Sequence, residues 1–320
     1  MSEMIYRQFG ESGLTVSTVG LGCNQIGRAL DLEGTRAVID AAIDVGISLF
    51  DTADIYGKEP GVSEQLLGEV LEGRRDRVVV ATKFGMDMKG TTLPGHEARG
   101  SRRYIRASVE GSLSRLRTDH IDLYQMHEPD VRTPIEETLD ALDELVREGK
   151  VRYLGSSNFA GWQIVDADWV ARASSGTRFI SAQNEYSLLE RTAEADVIPA
   201  AEHVGVGLIP YFPLARGLLS GKYRRDTKAP AGTRLVANPG LLASTNWDVV
   251  EALQTFADAR NLSLVDVAVG GLAAQPGVAS IIVGATKPEQ VRANAKAGQW
   301  QPTAADLVEL DDITGGPSEN

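Results

Sequence analysis

The chain has 320 residues, enough to bury one large α/β core or two ordinary ones, and its 42% hydrophobic and 24% charged content is that of a globular protein. A formal net charge of −12 argues against nucleic acid or an anionic membrane as the main partner. The only cysteine, Cys23, excludes an internal disulfide, and no apolar run is long enough to span a bilayer. The start, Met1-Ser2-Glu3-Met4, lacks the basic-then-apolar layout of a signal peptide, so a cytoplasmic location is expected.

Residues 5–18 read as a short hairpin, with Gly10, Ser12 and Gly13 as turn residues. Strand and helix then alternate. Val19–Cys23 reads as a strand, and 34–45 has helical spacing in Val38, Ile39, Ala42 and Ile43. Ser48–Asp51 is the next strand, and Ser63 opens a helix ending near Gly73. Val78–Lys83 is the third strand of the alternation, followed by a polar stretch without period from Gly85 to Gly100. A loop of that length is more often a lid or binding loop than filler. Helix 101–116, strand 121–127 and a helix from Thr133, read as its cap, to Gly149 come next. Val151–Gly155, Phe179–Gln183 and Val206–Tyr211 are further strands, with helices at 161–173 and about 195–203. After a second long loop, 217–244, come helices near 246–260 and 263–275. Ser280–Val283 is the eighth strand, with helices at 288–297 and 303–312 and a frayed tail from 315 to 320.

Eight strand-then-helix units in one chain predict parallel strands joined by right-handed crossovers. The expected fold is therefore a (β/α)8 TIM barrel forming a single domain over 1–320, with an N-terminal β-hairpin and long loops after its third and seventh strands. An open doubly wound sheet is the rival, but Gly20-Leu21-Gly22 followed by Gly27 has the wrong spacing for a dinucleotide fingerprint.

Barrels place their chemistry on the loops after the strands. Three successive strands end in Asp51, Lys83 and His127, with Tyr56 just past the first. Any one of them has a structural explanation as a cap, a surface lysine or a strand end. Together they suit proton transfer. A buried ammonium is expected to lower the pKa of a neighbouring phenol, and a carboxylate to keep that ammonium charged. Tyr56 would then act as a general acid, with His127 directing the same substrate oxygen. His96, His120 and His203 have no metal-ligand spacing, so no metal is expected. Asp51 and Asp54 come from one short loop rather than opposite walls of a cleft, against a glycosidase pair. Cys23 is expected to be a buried, inert thiol.

The runs Asp51-Thr52-Ala53-Asp54-Ile55-Tyr56-Gly57, Thr82-Lys83-Phe84-Gly85 and Asp122-Leu123-Tyr124-Gln125-Met126-His127 resemble the aldo-keto reductases, in the style of the bacterial reductases and potassium-channel β subunits. The resemblance extends from Phe9-Gly10 to Asn294. It implies a (β/α)8 barrel, NADP(H)-dependent reduction of aldehydes, ketones or sugars (NAD(H) being possible), and a tetrad of Asp51, Tyr56, Lys83 and His127. It also implies cofactor contacts. Ser157, Asn158 and Gln183 would hold the carboxamide. Tyr211, Phe212, Pro213, Leu214, Gly217 and Lys222 would flank the nicotinamide and pyrophosphate. Gly284, Thr286, Lys287, Gln290 and Asn294 would meet the adenosine phosphate.

On so acidic a chain the dinucleotide needs a local cationic patch, for which Lys222, Arg234 and Lys287 are the candidates; Thr286 could instead only cap the helix before Pro288. Ala293 and the Gly270-Gly271 pair depart from the family pattern, and composition gives no reason for the glycines. Two other activities remain open at this stage: a sugar or alcohol dehydrogenase running oxidatively, and a non-catalytic NADPH-sensing accessory subunit. The physiological substrate and the oligomeric state are not read from the sequence.

Overall fold

A computed structural model describes residues 4–88, 97–231 and 233–316, without the side chains of Arg234 and Ala237. The middle of the expected loop 85–100, His96, and the tail from 317 onward lie outside the described residues. The chain opens with an antiparallel hairpin, β1 (Tyr6–Gln8) and β2 (Thr15–Ser17). Eight parallel strands follow: β3 (Val19–Gly22), β4 (Leu49–Asp51), β5 (Val79–Phe84), β6 (Ile121–Met126), β7 (Val151–Ser157), β8 (Phe179–Gln183), β9 (Gly207–Leu208) and β10 (Ile281–Gly284). They pair in chain order, with β10 beside β3. Parallel bridges Leu208↔Val278 and Tyr211↔Ile282 bring the β9 edge onto the β10 side. The expected (β/α)8 barrel is the observed fold.

Helices α1 (Leu32–Asp44), α2 (Val62–Val70), α3 (Arg102–Leu116), α4 (Ile135–Arg147), α5 (Gly161–Ala173) and α6 (Val197–Val204) alternate with the strands. The short α7 (Pro239–Ala243), then α8 (Trp247–Ala259) and α9 (Leu264–Ala273), precede β10; α10 (Pro288–Ala297) and α11 (Ala304–Thr314) follow it. Each crossover helix lays an apolar stripe on the outer strand faces, as Val38, Ile39 and Ala42 of α1 do. Asp31 starts α1 by accepting from the Gly34 amide at 2.9 Å.

Three local expectations are corrected. The ladder of β9 covers only two residues, not 206–211; beyond it the Ile209 and Tyr211 amides still donate to the Ala182 and Asn184 carbonyls, and Tyr211 pairs only as isolated bridges. Thr133 does not cap α4: Pro134 is the N-cap residue, and the Thr133 hydroxyl donates to Asp130 Oδ2 at 2.7 Å. The 217–244 loop contains short helical turns at 215–220 and 234–237 as well as α7.

Side chains alternate along a strand, so every second residue points into the barrel. Leu49, Ala81, Leu123 and Ile282 form an apolar layer there, closed from below by Phe9 and Val16 of the hairpin arm. One residue pair further along the same strands, Asp51, Lys83 and Gln125 form a polar layer. The hairpin thus plugs the floor, and burial of Phe9 contributes on the order of 2–3 kcal/mol.

The glycine pair in α9 now has an account. A Cβ at Gly270 would lie 2.8 Å from Trp300 Cε3 and 2.9 Å from the Trp300 carbonyl oxygen. At Gly271 it would meet Leu310 Cδ1 at 3.3 Å. The segment after α10 is therefore seated directly on the bare backbone of α9, within a cluster holding Leu253, Leu264, Val267 and Leu310. Alanine would gain about 1 kcal/mol of helix propensity, but the contact is with backbone as well as with a ring. Gly270→Ala is expected to lower stability by about 1–3 kcal/mol in denaturant unfolding; a stabilised variant would overturn this packing account.

Candidate active site

Asp51 is the last residue of β4, Lys83 lies near the end of β5, and His127 follows β6 directly. Tyr56 reaches back from the loop between β4 and α2. Lys83 is fully buried, and its Nζ donates to Asp51 Oδ2 at 2.6 Å, to the Thr52 carbonyl at 3.0 Å and to Tyr56 Oη at 3.5 Å. The Tyr56 and His127 rings meet edge to face at 5.8 Å between centroids. All four residues expected at one rim are therefore brought together.

The electrostatics differ from expectation at one point. Burial pushes the Tyr56 phenol above its ordinary range; Lys83 pulls it down, but Asp51 adds to the rise and the net shift is upward. The expected acidification by the ammonium is present as a contribution but does not win, because removing a phenolate from water costs more than one cation returns. Burial alone would lower the Lys83 pKa, but Asp51 and Tyr56 outweigh it and the ammonium is held above its usual range. His127 is driven well below the ordinary imidazole range by burial, with Lys83 adding to the fall, so the ring is neutral near pH 7. Its Nδ1 is buried with no hydrogen-bond partner among the described residues. A buried N–H without an acceptor is costly. The proton therefore belongs on Nε2, which can donate to a substrate oxygen.

A residue missed by the sequence analysis completes the site. Asp51 Oδ1 accepts from Gln125 Nε2 at 3.1 Å and from Gln183 Nε2 at 2.9 Å, so three donors hold this carboxylate. The signal was the parity of β6: Gln125 stands two residues beyond Leu123, on the inward face, level with Lys83 in the strand register.

Asp54 forms no pair with Asp51. Its carboxyl is buried beside Glu64, and burial, then Glu64, pushes it well above the usual carboxylate range. Glu64 in turn accepts from Thr82 Oγ1 at 2.6 Å and Arg115 Nε at 2.7 Å, fixing α2 behind the catalytic strands. Cys23 is buried, its thiol pushed up by burial, in keeping with an inert side chain.

The expected cofactor residues divide into two groups. Ser157, Asn158, Gln183 and Tyr211 surround the tetrad. Asn158 Nδ2 donates to the His127 carbonyl at 2.9 Å and to Ser157 Oγ at 3.1 Å, while Tyr211 Oη donates to Asn158 Oδ1 at 2.8 Å. Asn158 Oδ1 already accepts from that phenol and keeps one lone pair for a carboxamide, whereas Gln183 Oε1 and the Ser157 hydroxyl proton have no hydrogen-bond partner among the described residues. The Phe212 ring stands edge to face on Tyr211 at 5.1 Å and lies under the Arg216 guanidinium at 4.9 Å. Pro213 is buried, and the Leu214 carbonyl accepts from the Gly217 amide at 2.8 Å.

The second group lies around α10 and the 217–244 loop. Thr286 does not cap α10: Lys287 is the N-cap residue, with no side-chain cap bond, and Gln290 Oε1 accepts from the Thr286 amide at 2.7 Å. Asn294 Nδ2 donates to the carbonyl of the exposed Gly284 at 3.5 Å. Lys287 is two-thirds exposed, 4.0 Å from Glu289, and Lys222 is exposed. The Arg234 side chain lies outside the described set.

Asn158, Phe212, Ala215 and Arg216 have φ of 60°, 56°, 45° and 59°. Non-glycine residues in this region cost of the order of 1–3 kcal/mol each and cluster at functional sites. These four flank Tyr211, while the other non-glycine residues with positive φ among the described ones, Arg117, Ser175, Asp226 and Asn261, lie away from the site.

A parallel barrel with a buried carboxylate, ammonium, phenol and neutral imidazole at the carboxyl ends of its strands carries its ionisable groups on the face where barrel enzymes place their chemistry. The chain belongs to the aldo/keto reductase family: the family profile matches residues 18–314. An uncharacterized oxidoreductase of Bacillus subtilis, YrpG, is 39% identical, covering 98% of this chain and 97% of its own. A probable voltage-gated potassium channel subunit beta of rice is 34% identical over 92% of this chain and 91% of its own. The L-glyceraldehyde 3-phosphate reductase of Escherichia coli K12 is 32% identical over 92% and 88%. The chain is thus an oxidoreductase of a family that acts on small carbonyl compounds with nicotinamide dinucleotides. Among the described residues no helix is long and apolar enough to cross a membrane.

Removing one partner of a buried pair leaves the other uncompensated, at about 3–5 kcal/mol. Lys83→Met should therefore lose stability in that range by urea unfolding, and the double variant with Asp51→Asn should lose less than the two single losses added.

His127 is neutral in the fold, and its pKa lies below the unfolded value of 6.5. As pH falls below that value the unfolded chain takes up a proton that the fold refuses, so stability is lost. His127→Asn should flatten this acid limb in a pH series of melting temperatures; an identical limb would show that the ring already protonates in the fold.

Proposed function

We propose that this protein is an NADPH-dependent carbonyl reductase, with Tyr56 as proton donor to an aldehyde or ketone. One observation carries the reading: the Asp51–Lys83 pair points its ammonium at the Tyr56 hydroxyl while the neutral ring of His127 stands edge-on beside it. When bound, a reduced nicotinamide dinucleotide would supply the hydride for the carbonyl carbon. Tyr56 transfers its proton to the oxygen as negative charge develops there, giving the alcohol. Lys83 stabilises the phenolate left behind, and solvent reprotonates it. His127 Nε2–H directs the oxygen towards Tyr56, and Asp51 keeps Lys83 charged and aimed.

The raised Tyr56 pKa keeps the phenol protonated at neutral pH, the form in which it can act as a general acid. A phenol remains a far stronger acid than an alcohol even after an upward shift, so it can still protonate an alkoxide-like oxygen.

For the cofactor, Gln183 Oε1 and the Ser157 hydroxyl are suited to a carboxamide. The start of α10, with Pro288 in its first turn and no side-chain cap bond, leaves backbone N–H groups beside Lys287 for a 2′-phosphate. The name of the Escherichia coli relative adds small phosphorylated aldehydes to the carbonyl substrates worth assaying.

Tyr56→Phe is expected to reduce kcat by about 10²–10⁴-fold, with NADPH affinity nearly unchanged, in steady-state oxidation of NADPH against an aldehyde panel. Unchanged kcat would overturn the assignment of the proton donor. Tight NADPH binding by the wild type without turnover across the panel would instead favour an accessory, cofactor-sensing role.

A further inference from the structure

We propose that Gln125 is a positioning residue of the catalytic centre: it holds the Asp51 carboxylate on Lys83 in its own right, so that Gln183 can be shared with a dinucleotide's carboxamide. The inference rests on the reductase reading above and extends it to a residue the tetrad does not contain.

Four observations support it. Gln125 is fully buried, inside the barrel, where β6 offers only Leu123 below it. Its Nε2 donates to Asp51 Oδ1 at 3.1 Å, the oxygen that also accepts from Gln183 at 2.9 Å. The two amides touch, Gln183 Nε2 lying 3.4 Å from Gln125 Oε1. Finally, the next strand makes room for it. Gly155 stands opposite Gln125 in the β6–β7 register. A Cβ at Gly155 would lie 3.1 Å from Gln125 Cγ and 2.2 Å from Ser181 Oγ.

A buried amide is unfavourable unless it is hydrogen-bonded. Methionine has nearly the same shape and would fill the place without that cost. What glutamine adds is a donor aimed at Asp51. Gln183 cannot fill this role alone if it also serves a cofactor, because its rotamer would then answer to two partners. Among the described residues the Gln125 side chain hydrogen-bonds only to the carboxylate and the other amide, and so can fix Asp51 whether or not Gln183 moves.

The groups facing this network are Cys23 beyond β3, Asp51 and Asp54 from β4 and its loop, Lys83 from β5, His127 after β6 and Tyr211 after β9. Removing the Gln125 donor leaves the Asp51 charge less offset, so Tyr56 should ionise less readily. Loss of one donor to a buried carboxylate should move that ionisation up by about half to one pH unit.

The test uses the whole protein with tyrosines replaced biosynthetically by a difluorinated analogue, whose phenol ionises in a milder pH range. The fluorine NMR signal of residue 56 is assigned by its loss in Tyr56→Phe. In Gln125→Met the midpoint of that signal should rise, and in the unlabelled enzyme kcat should fall about tenfold, with NADPH affinity kept within about twofold. Gln125→Glu should be close to wild type at about pH 6, where the new carboxyl is protonated and can donate, and should fall away by about pH 9 as it ionises beside Asp51.

An unmoved fluorine midpoint in Gln125→Met would overturn the proposal, as would equal losses in the Met and Glu variants at every pH, which mark a space-filling role. Should Gln125→Met fail to fold, the pH contrast of Gln125→Glu decides. If the wild type reduces no carbonyl, the reductase reading fails, and the fluorine measurement still decides whether Gln125 acts on the centre.

Discussion

A charge pair with no access to water organises this molecule. The Lys83 side chain is 0% and the Asp51 side chain 3% exposed, with 2.6 Å between ammonium nitrogen and carboxylate oxygen. Taking two such ions out of water is costly, and their attraction repays it only with good geometry and with the remaining lone pairs and protons satisfied. The surroundings meet that condition. Asp51 accepts from two amides besides the ammonium, and Lys83 has the Thr52 carbonyl and the Tyr56 hydroxyl as further acceptors. The neutral state of His127 belongs to the same balance, since an imidazolium here would add an unpaired positive charge beside Lys83.

The barrel makes such a pair possible by layering its interior. Below lie Leu49, Ala81, Leu123 and Ile282, sealed by Phe9 and Val16; above, in the same alternation, come Asp51, Lys83 and Gln125. Polar residues confined to the rim end of each strand face the loops, where a substrate can reach them, while the apolar layer carries the packing. The strained backbone at Asn158, Phe212, Ala215 and Arg216 is confined to the same end. Rigid strands can hold such conformations because their own hydrogen bonds do not depend on the loops they carry.

Much of this was legible in the sequence, and what was not has physical reasons. Strand ends were readable because apolar runs stopped at Asp51, Lys83 and His127, and the alternation with helices gave the barrel. Gln125 escaped because an uncharged amide inside an apolar run carries no signal until the register places Lys83 and Gly155 on either side of it. The direction of the Tyr56 shift was misjudged because a pairwise rule counts the nearby cation and leaves out desolvation, which depends on how completely the fold encloses the phenol. Gly270 was opaque for a similar reason, as its partner, Trp300, is thirty residues away and meets it only through tertiary packing. The role of Thr286 was open in the sequence, and it turned on a side chain four residues on, Gln290, that accepts from its amide.

The raised phenol pKa and the three-donor carboxylate act on the Tyr56 proton with opposite signs. Had the site been tuned to create a phenolate, the simplest change would be to weaken Asp51, leaving Lys83 more of its charge to act on Tyr56. Gln125 and Gln183 go part of that way, since the bonds they donate offset the Asp51 charge, and burial of the phenol nevertheless outweighs the ammonium's pull. What remains is a phenol that keeps its proton until a stronger base develops next to it. The oxygen of a carbonyl receiving a hydride is such a base, and the resting water around a protein at neutral pH is not. In the reductase proposed above, charge would have to appear at the substrate first, so that protonation would follow hydride arrival through electrostatics already built into the strand ends.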